Sequence, residues 1–226
     1  MAARIVPFGL YAVFLLMTQM VGWLEPSTGW PLLSGDTIRL WLYPIKTLVV
    51  AAALAWFWSQ YDELQWPPNL PVRHLILTTM AGILVYLAWV RMDWSWAMQG
   101  APSSGYNPFA ADGASGYLLA AFRLCGAAIV VPIMEELFWR SFVSRYLISA
   151  RFETIPIGTF TPFSFLAVIV LFGVEHDLWL AGMMAGTVYG LLLVQTKNLW
   201  TCIGAHAITN FALGIHVLVT KEWSWW

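Results

Sequence analysis

Residues 117–140 read YLLAAFRLCGAAIVVPIMEELFWR, and this stretch decides the fold class. A helix that crosses a bilayer needs about 20 mostly apolar residues. The segment supplies that length and then ends on Glu135, Glu136 and Arg140. Working outward, comparable apolar runs fall at 5–23, 40–58, 73–91, 162–176, 178–195 and 199–219 around the run at 117–138. The fifth in chain order, 162–176, is short and closes on the polar Glu175-His176-Asp177.

Composition agrees with the runs. The 226 residues are 60% hydrophobic and 10% charged, against about 25% charged in an average soluble domain. Mean hydropathy is +0.69. Polar side chains are too few to cover a water-facing surface, so lipid is the solvent for most of it. Every backbone polar group must be satisfied inside a bilayer, which favours helices. No alternation over about 10 residues suggests a barrel. The expected fold is therefore all-α, a polytopic transmembrane helical bundle of about seven to eight spans with a polar intramembrane cavity. It is read as one membrane domain over residues 1–226.

Net charge is −1, and no basic patch points to nucleic acid. Cys125 and Cys202 sit in apolar stretches and read as small buried side chains rather than a disulfide framework. Arg4 precedes the first apolar run as in a signal peptide. That run is long for such a segment, and Gln19-Met20-Val21 is a poor cleavage site, so it reads as a retained span. Trp23, Trp41, Trp58, Trp89, Trp200 and Trp223 fall near span ends, where amphipathic rings favour the interface. The stretch from Asp93 to Gly116 and the turn-rich Trp66-Pro67-Pro68-Asn69 read as loops. Gly182, Gly186 and Gly190 recur at four-residue spacing and read as a helix-packing face. With a cytoplasmic N-terminus, Arg4, Arg73, Arg145, Arg151 and Lys197 collect on the inner side, and Arg39, Arg91 and Lys221 on the outer side.

Three polar motifs interrupt the apolar text. In the first, each charge placed mid-bilayer costs about 3 kcal/mol, so Glu135, Glu136 and Arg140 together cost roughly 8–10 kcal/mol before pairing. Glu136 and Arg140 stand at i and i+4 and can pair on one helix face. Glu135 is rotated about 100° away and lacks that partner. One carboxylate reads as structural and the other as free for chemistry, unless the helix ends at the interface with all three in water. The second motif is Phe172-Gly173-Val174-Glu175-His176-Asp177, with His176 four residues after Phe172. The third places His206 and Asn210 at i and i+4 on one face of the last span, as a functional pair or as helix glue. Cys202, four residues before His206, allows a Cys/His pair, but that pair leaves the two glutamates unexplained. Peptide hydrolysis needs a base to activate water and donors for the oxyanion, and Glu135, His176, His206 and Asn210 supply both.

EExxxR, FxxxH and HxxxN in this order on separate membrane helices resemble the CAAX prenyl protease and bacteriocin-processing family of intramembrane endopeptidases. The likeness covers the second half of the chain, with a protease core at about 117–219. Trp139-Arg140-Ser141-Phe142, Phe160-Thr161-Pro162 and the Trp-ending tail further resemble bacterial members associated with exosortase systems.

The resemblance implies a multi-pass protein of the bacterial cytoplasmic membrane. Its cavity would open to the cytoplasm, and its substrate would be a peptide or protein, lipidated or membrane-anchored substrates included. Glu135 and His176 would activate water, His206 and Asn210 would steady the oxyanion, and Glu136, Arg140 and Phe172 would support the site. Zinc held by Glu135, His176 and His206 is the alternative to a metal-free water. No HExxH pre-arranges two ligands, and Glu136 is committed to Arg140, so the metal-free form is favoured. A non-enzymatic scaffold or immunity-type protein, or a small transporter, would use the same polar groups differently. A transporter predicts matching polar interruptions in both halves, whereas these lie in the second half only.

One requirement follows for the fold. His176 falls about 20 Å along its span from Pro162. It meets Glu135 only if the fourth helix runs on to about Leu147, which places Glu135 well inside the membrane.

Overall fold

The computed structural model describes residues 1–28, 35–64, 68, 70–100, 105–111 and 113–226, without the side chains of 22–28 and 35–36. The side chain of Trp23, most of the Trp66–Asn69 connection and residues 101–104 and 112 of the long loop thus lie outside the described residues. The described chain is helical throughout, with no strand. Its main helices are α1 (Ala2–Thr28), α2 (Gly35–Trp56), α3 (Val72–Trp89), α4 (Ala114–Tyr146), α5 (Pro162–Val174), α6 (Trp179–Thr196) and α7 (Leu199–Thr220). Six of them are long and apolar enough to cross a membrane, and α5 is the shorter apolar one.

The surface is inverted relative to a water-soluble bundle. Leu16, Leu84, Leu118, Ile129, Phe163 and Leu166 point outward, while Arg4, Lys46, Glu135, Glu136, Arg140, Arg145 and His206 are buried. Lipid-facing side chains gain nothing from burial against protein, whereas charges need partners, so the polar groups turn inward. The chain is an integral membrane protein.

The fourth helix does run on. α4 spans 33 residues to Tyr146, about 50 Å of helix, longer than a hydrocarbon core. Two wider, π-type turns lie within it, Gly126–Val130 and Leu137–Val143, and they bracket Glu135 and Glu136. Helix α5 is shorter than the apolar run 162–176, because it stops at Val174 and leaves His176 in the turn beyond. Thr161 caps its start by accepting the Ser164 N–H at 3.2 Å, and Pro162 follows at the first position, where its missing N–H costs nothing.

Two close helix contacts seat the polar motifs. The Gly182–Gly186–Gly190 face of α6 packs on α5. A Cβ at Gly182 would lie 3.0 Å from Gly173 Cα and 3.2 Å from His176 Nδ1, so the bare backbone lets α5 close over it. On α3, a Cβ at Gly82 would come within 2.7 Å of the Ala205 carbonyl oxygen. That approach brings α3 against the His206 turn of α7.

The helices alternate between two ends of the bundle. At one end, the Tyr61 hydroxyl donates to the Ala3 carbonyl at 2.8 Å, and Arg4 meets Glu63 and Ser141. Gln99 at the opposite end binds the backbone that follows α5, and the Tyr106 hydroxyl donates to the Leu40 carbonyl at 2.9 Å. The loop read from Asp93 to Gly116 holds short helical turns at Ser95–Ala97 and Pro108–Ala110, and α4 begins within it at Ala114.

Candidate active site

Glu135 on α4, His176 in the turn after α5, and His206 and Asn210 on α7 all line one cavity of about 210 Å³. Phe172 lines it as well, while Glu136 and Arg140 stand behind the wall. The cavity has apolar walls from Val131, Ala185 and Leu213, and aromatic ones from Tyr11, Tyr43, Trp89 and Tyr189.

His206 carries the central connection. Its Nδ1 lies 3.0 Å from Glu136 Oε1, so the imidazole donates to that carboxylate and turns Nε2 toward the cavity. Nε2 stands 4.0 Å from Glu135 Oε2. The ring stacks on Tyr189, whose plane is 22° from parallel at a centroid distance of 5.2 Å. Tyr189 in turn donates to Thr209 at 2.8 Å, which fixes the stacking partner to the same helix that carries His206.

Behind the wall, Glu136 Oε2 and Arg140 Nε are 3.2 Å apart. The contact is electrostatic rather than a formed hydrogen bond, since neither atom has a hydrogen-bond partner and the alignment is poor. All three guanidinium nitrogens of Arg140 lack hydrogen bonds, and the group lies over the Phe172 ring at 4.2 Å. Arg140 thus ties the first motif to the second through a ring face as well as pairing with Glu136. The expected i, i+4 pair is present, and Glu135 is left without an ion pair to Arg140.

His176 sits in the turn after α5, where its Nδ1 donates to the Phe172 carbonyl at 2.7 Å. A carbonyl oxygen only accepts, so the proton is on Nδ1 and Nε2 carries the free lone pair. The Gln99 amide donates to the carbonyls of Val174 and His176 at 2.9 and 3.0 Å, and the Gln99 N–H donates to Asp177. Nothing in the local text of residue 99 announces this clamp. Trp139 donates to Glu175 Oε2 at 2.8 Å, which places Glu175 as a fastening between α4 and the turn.

Asn210 is held by a backbone irregularity. In α4 the Val131 N–H bonds the Gly126 carbonyl, one residue wider than an α-turn. Pro132 has no N–H to offer the next carbonyl. The Ala127 carbonyl is therefore left over, and Asn210 Nδ2 donates to it at 2.9 Å. A second N–H of the same amide stays available. π-type turns of this kind often occur at functional sites.

The mouth of the cavity lies toward the end where α3 and α7 finish. A larger adjoining cavity of about 450 Å³ shares Trp89, His176, Leu213, Trp225 and Trp226 with it and continues to Asp93, Met98 and Gln99. Arg4 and the N-terminal end of α1 are at the other end, with Glu63, Arg145 and Glu153. A cytoplasmic N-terminus and a mouth open to the cytoplasm therefore exclude each other in this fold.

Among the described residues, no three His, Cys, Asp or Glu side chains are grouped so as to hold a metal ion. Hydrogen bonds to Glu136 and to the Phe172 carbonyl occupy Nδ1 of His206 and of His176, which leaves each Nε2 without that partner, and Glu135 Oε2 lies 4.0 Å from His206 Nε2. Cys202, fully buried, donates its thiol to the Tyr189 carbonyl and lines neither cavity.

Residues 117–212 match the family described as type II CAAX prenyl endopeptidase Rce1-like. This segment is similar to that family, and the match covers less than half of the chain. The matched stretch holds every residue of the three polar motifs, from Glu135 to Asn210. Helices α1 to α3 lie outside it, yet Tyr11, Tyr43 and Trp89 from those helices complete the cavity of the Rce1-like segment. No curated protein and no solved structure gives a significant match. The matched segment is thus similar to a family of proteases, whose substrates are peptides or proteins.

Proposed function

We propose that the chain is a working intramembrane endopeptidase, in which Glu135 and His176 activate a water molecule. The convergence of Glu135, His176, His206 and Asn210 on one cavity carries this reading. Glu135 accepts a proton from the water, and the lone pair on His176 Nε2 orients it. The water oxygen attacks the peptide carbonyl carbon, and the carbonyl oxygen becomes an oxyanion. The spare N–H of Asn210 and Nε2–H of doubly protonated His206 donate to that oxyanion, with Glu136 as counter-charge to the imidazolium. When the C–N bond breaks, the proton held on Glu135 passes to the leaving nitrogen. Arg140 and Phe172 keep the Glu136–His206 pair and the His176 turn in register.

The test is cleavage of a quenched peptide library by the purified protein in detergent, alongside Glu135→Ala and His206→Ala, with and without a chelator. Each variant is expected to lose roughly 10²-fold or more while staying folded, and the parent is expected to ignore the chelator. Variants that cleave like the parent would remove these residues from the chemistry and favour a scaffold. Loss of parent activity with chelator would return zinc to the site. For Asn210→Ala, a loss of about 10²–10³ in kcat with KM little changed is expected of an oxyanion donor.

A further inference from the structure

Two cationic side chains beside the cavity, one buried and one half-buried, have no part in the reaction above. Lys46 sits near the middle of α2 and is 5% exposed. Its ammonium lies 3.9 Å from the centre of the Tyr11 ring and 4.7 Å from that of Tyr43. Arg123, on α4, lines the cavity and stacks on the other partner of the same group, 4.4 Å from the Tyr43 ring centre. Its Nε is buried without a hydrogen-bond partner. Neither cation makes an ion pair with any described carboxylate, Glu135 included. Tyr11, Tyr43 and Arg123 line the cavity and Lys46 stands against the two rings without lining it, so both charges act on one aromatic wall of the site.

Ring faces offset part of the cost of a buried cation but supply no counter-ion. Ionisable side chains inside a membrane commonly mark substrate or ion pathways. A guanidinium with free N–H groups suits a planar carboxylate. We propose that Lys46 and Arg123, with Tyr11 and Tyr43, form a subsite for a carboxylate of the substrate peptide, so that peptides carrying one near the scissile bond are preferred. This rests on the endopeptidase reading. The carboxylate has two possible sources, an Asp or Glu side chain or the free end of a peptide. Lys46 and Tyr43 lie on α2 and Tyr11 on α1, outside the matched segment, while Arg123 lies within it, so the subsite joins the matched segment to parts of this chain that the family match does not reach.

The test uses one quenched peptide library made in three forms: with free carboxyl ends, with amidated ends, and with Glu and Asp replaced by Gln and Asn. The parent is expected to cleave carboxylate-bearing peptides about tenfold better, through KM rather than kcat. The arm that loses the preference identifies the source. Lys46→Met and Arg123→Met are expected to flatten the preference, and Lys46→Arg and Arg123→Lys to keep most of it. Equal cleavage of all three forms by the parent overturns the proposal. A preference that survives both Met variants does too. A shifted pH profile of kcat in Lys46→Met, with the acid-to-amide ratio unchanged, would make Lys46 a counter-charge to Glu135 and also overturn it. Should the parent cleave nothing, binding of the same three libraries to the parent is read by quenching of tryptophan fluorescence. Tighter binding of carboxylate forms that is lost in the Met variants would keep the subsite and reject the peptidase. Equal binding would reject the subsite.

Discussion

The molecule buries two clusters of charge, one at each end of α4's charged stretch, and they are finished differently. In the cluster around Glu63 each charged group has partners. Arg4 Nε donates to Glu63 Oε1 at 2.8 Å and to Ser141 Oγ at 2.9 Å, and Arg145 donates to Ser141 Oγ at 2.8 Å and to the Ile155 carbonyl at 3.1 Å. Ser141 also donates to Glu63, and both guanidinium groups lie over the Phe152 ring. Around Glu135, by contrast, Glu135 Oε2, Glu136 Oε2 and every guanidinium nitrogen of Arg140 lack hydrogen bonds. Both clusters face the same cost of burial. A satisfied network locks helices together, whereas leftover acceptors and donors beside a cavity are groups kept for something that enters it.

That contrast can be broken most sharply by exchanging carboxylates for amides at the two ends. Glu135→Gln is expected to cut peptide cleavage by about 10²–10⁴-fold, with the unfolding temperature unchanged or raised, because a buried carboxylate whose Oε2 has no hydrogen bond is removed. Arg4→Ala should do the opposite. Leaving Glu63 buried without its main partner is expected to cost about 3–5 kcal/mol, read by thermal unfolding in detergent, while the activity per folded molecule stays within about twofold.

Acid should separate the ends next. Burial pushes the Glu63 carboxyl up, but the hydrogen bonds from Arg4 and Ser141 outweigh it and hold the group below the usual carboxylate range. A lowered folded-state value means that Glu63 stabilises the fold above the unfolded value of about 4.3. That stability is lost as pH falls from there through the lower folded value. Unfolding temperature measured against pH should therefore drop below about pH 4, and Glu63→Gln should flatten the drop. The smallest effect is expected at Tyr189→Phe, which removes one hydrogen bond to Thr209. About 1 kcal/mol of stability should go, with a loss of activity smaller than that of His206→Ala.

What the sequence shows of each end differs for a physical reason. The i, i+4 pair of Glu136 with Arg140 and the shared face of His206 with Asn210 are local, so helical spacing alone predicts them. The extension of the fourth helix to Tyr146 follows from the need to bring Glu135 and His176 together. The Arg4–Glu63–Ser141 network joins residues 59 and 137 positions apart. Nothing in local periodicity couples them, and Arg4 reads from sequence only as an orientation signal. Gln99, Lys46 and Arg123 are hidden for the same reason, since their meaning comes from the packing of helices distant in sequence. The Asn210 contact was half visible. Pro132 announces a missing N–H, but only the wider turn at Gly126–Val130 directs the freed carbonyl to α7.

Sidedness is the remaining contrast between the ends. Labelling of single cysteines placed at residues 3 and 93 in intact membranes is expected to report opposite sides, because the mouth and the start of α1 lie at opposite ends of the bundle.

The most direct measurement is single-turnover cleavage by the parent and by Glu135→Gln, with unfolding temperature recorded on the same preparations. Cleavage by the parent, its loss in the variant and an unfolding temperature at or above the parent's would match a carboxylate kept for activating water. A variant that cleaves as fast as the parent, or one that unfolds several degrees lower, would contradict it and make Glu135 a structural charge like Glu63.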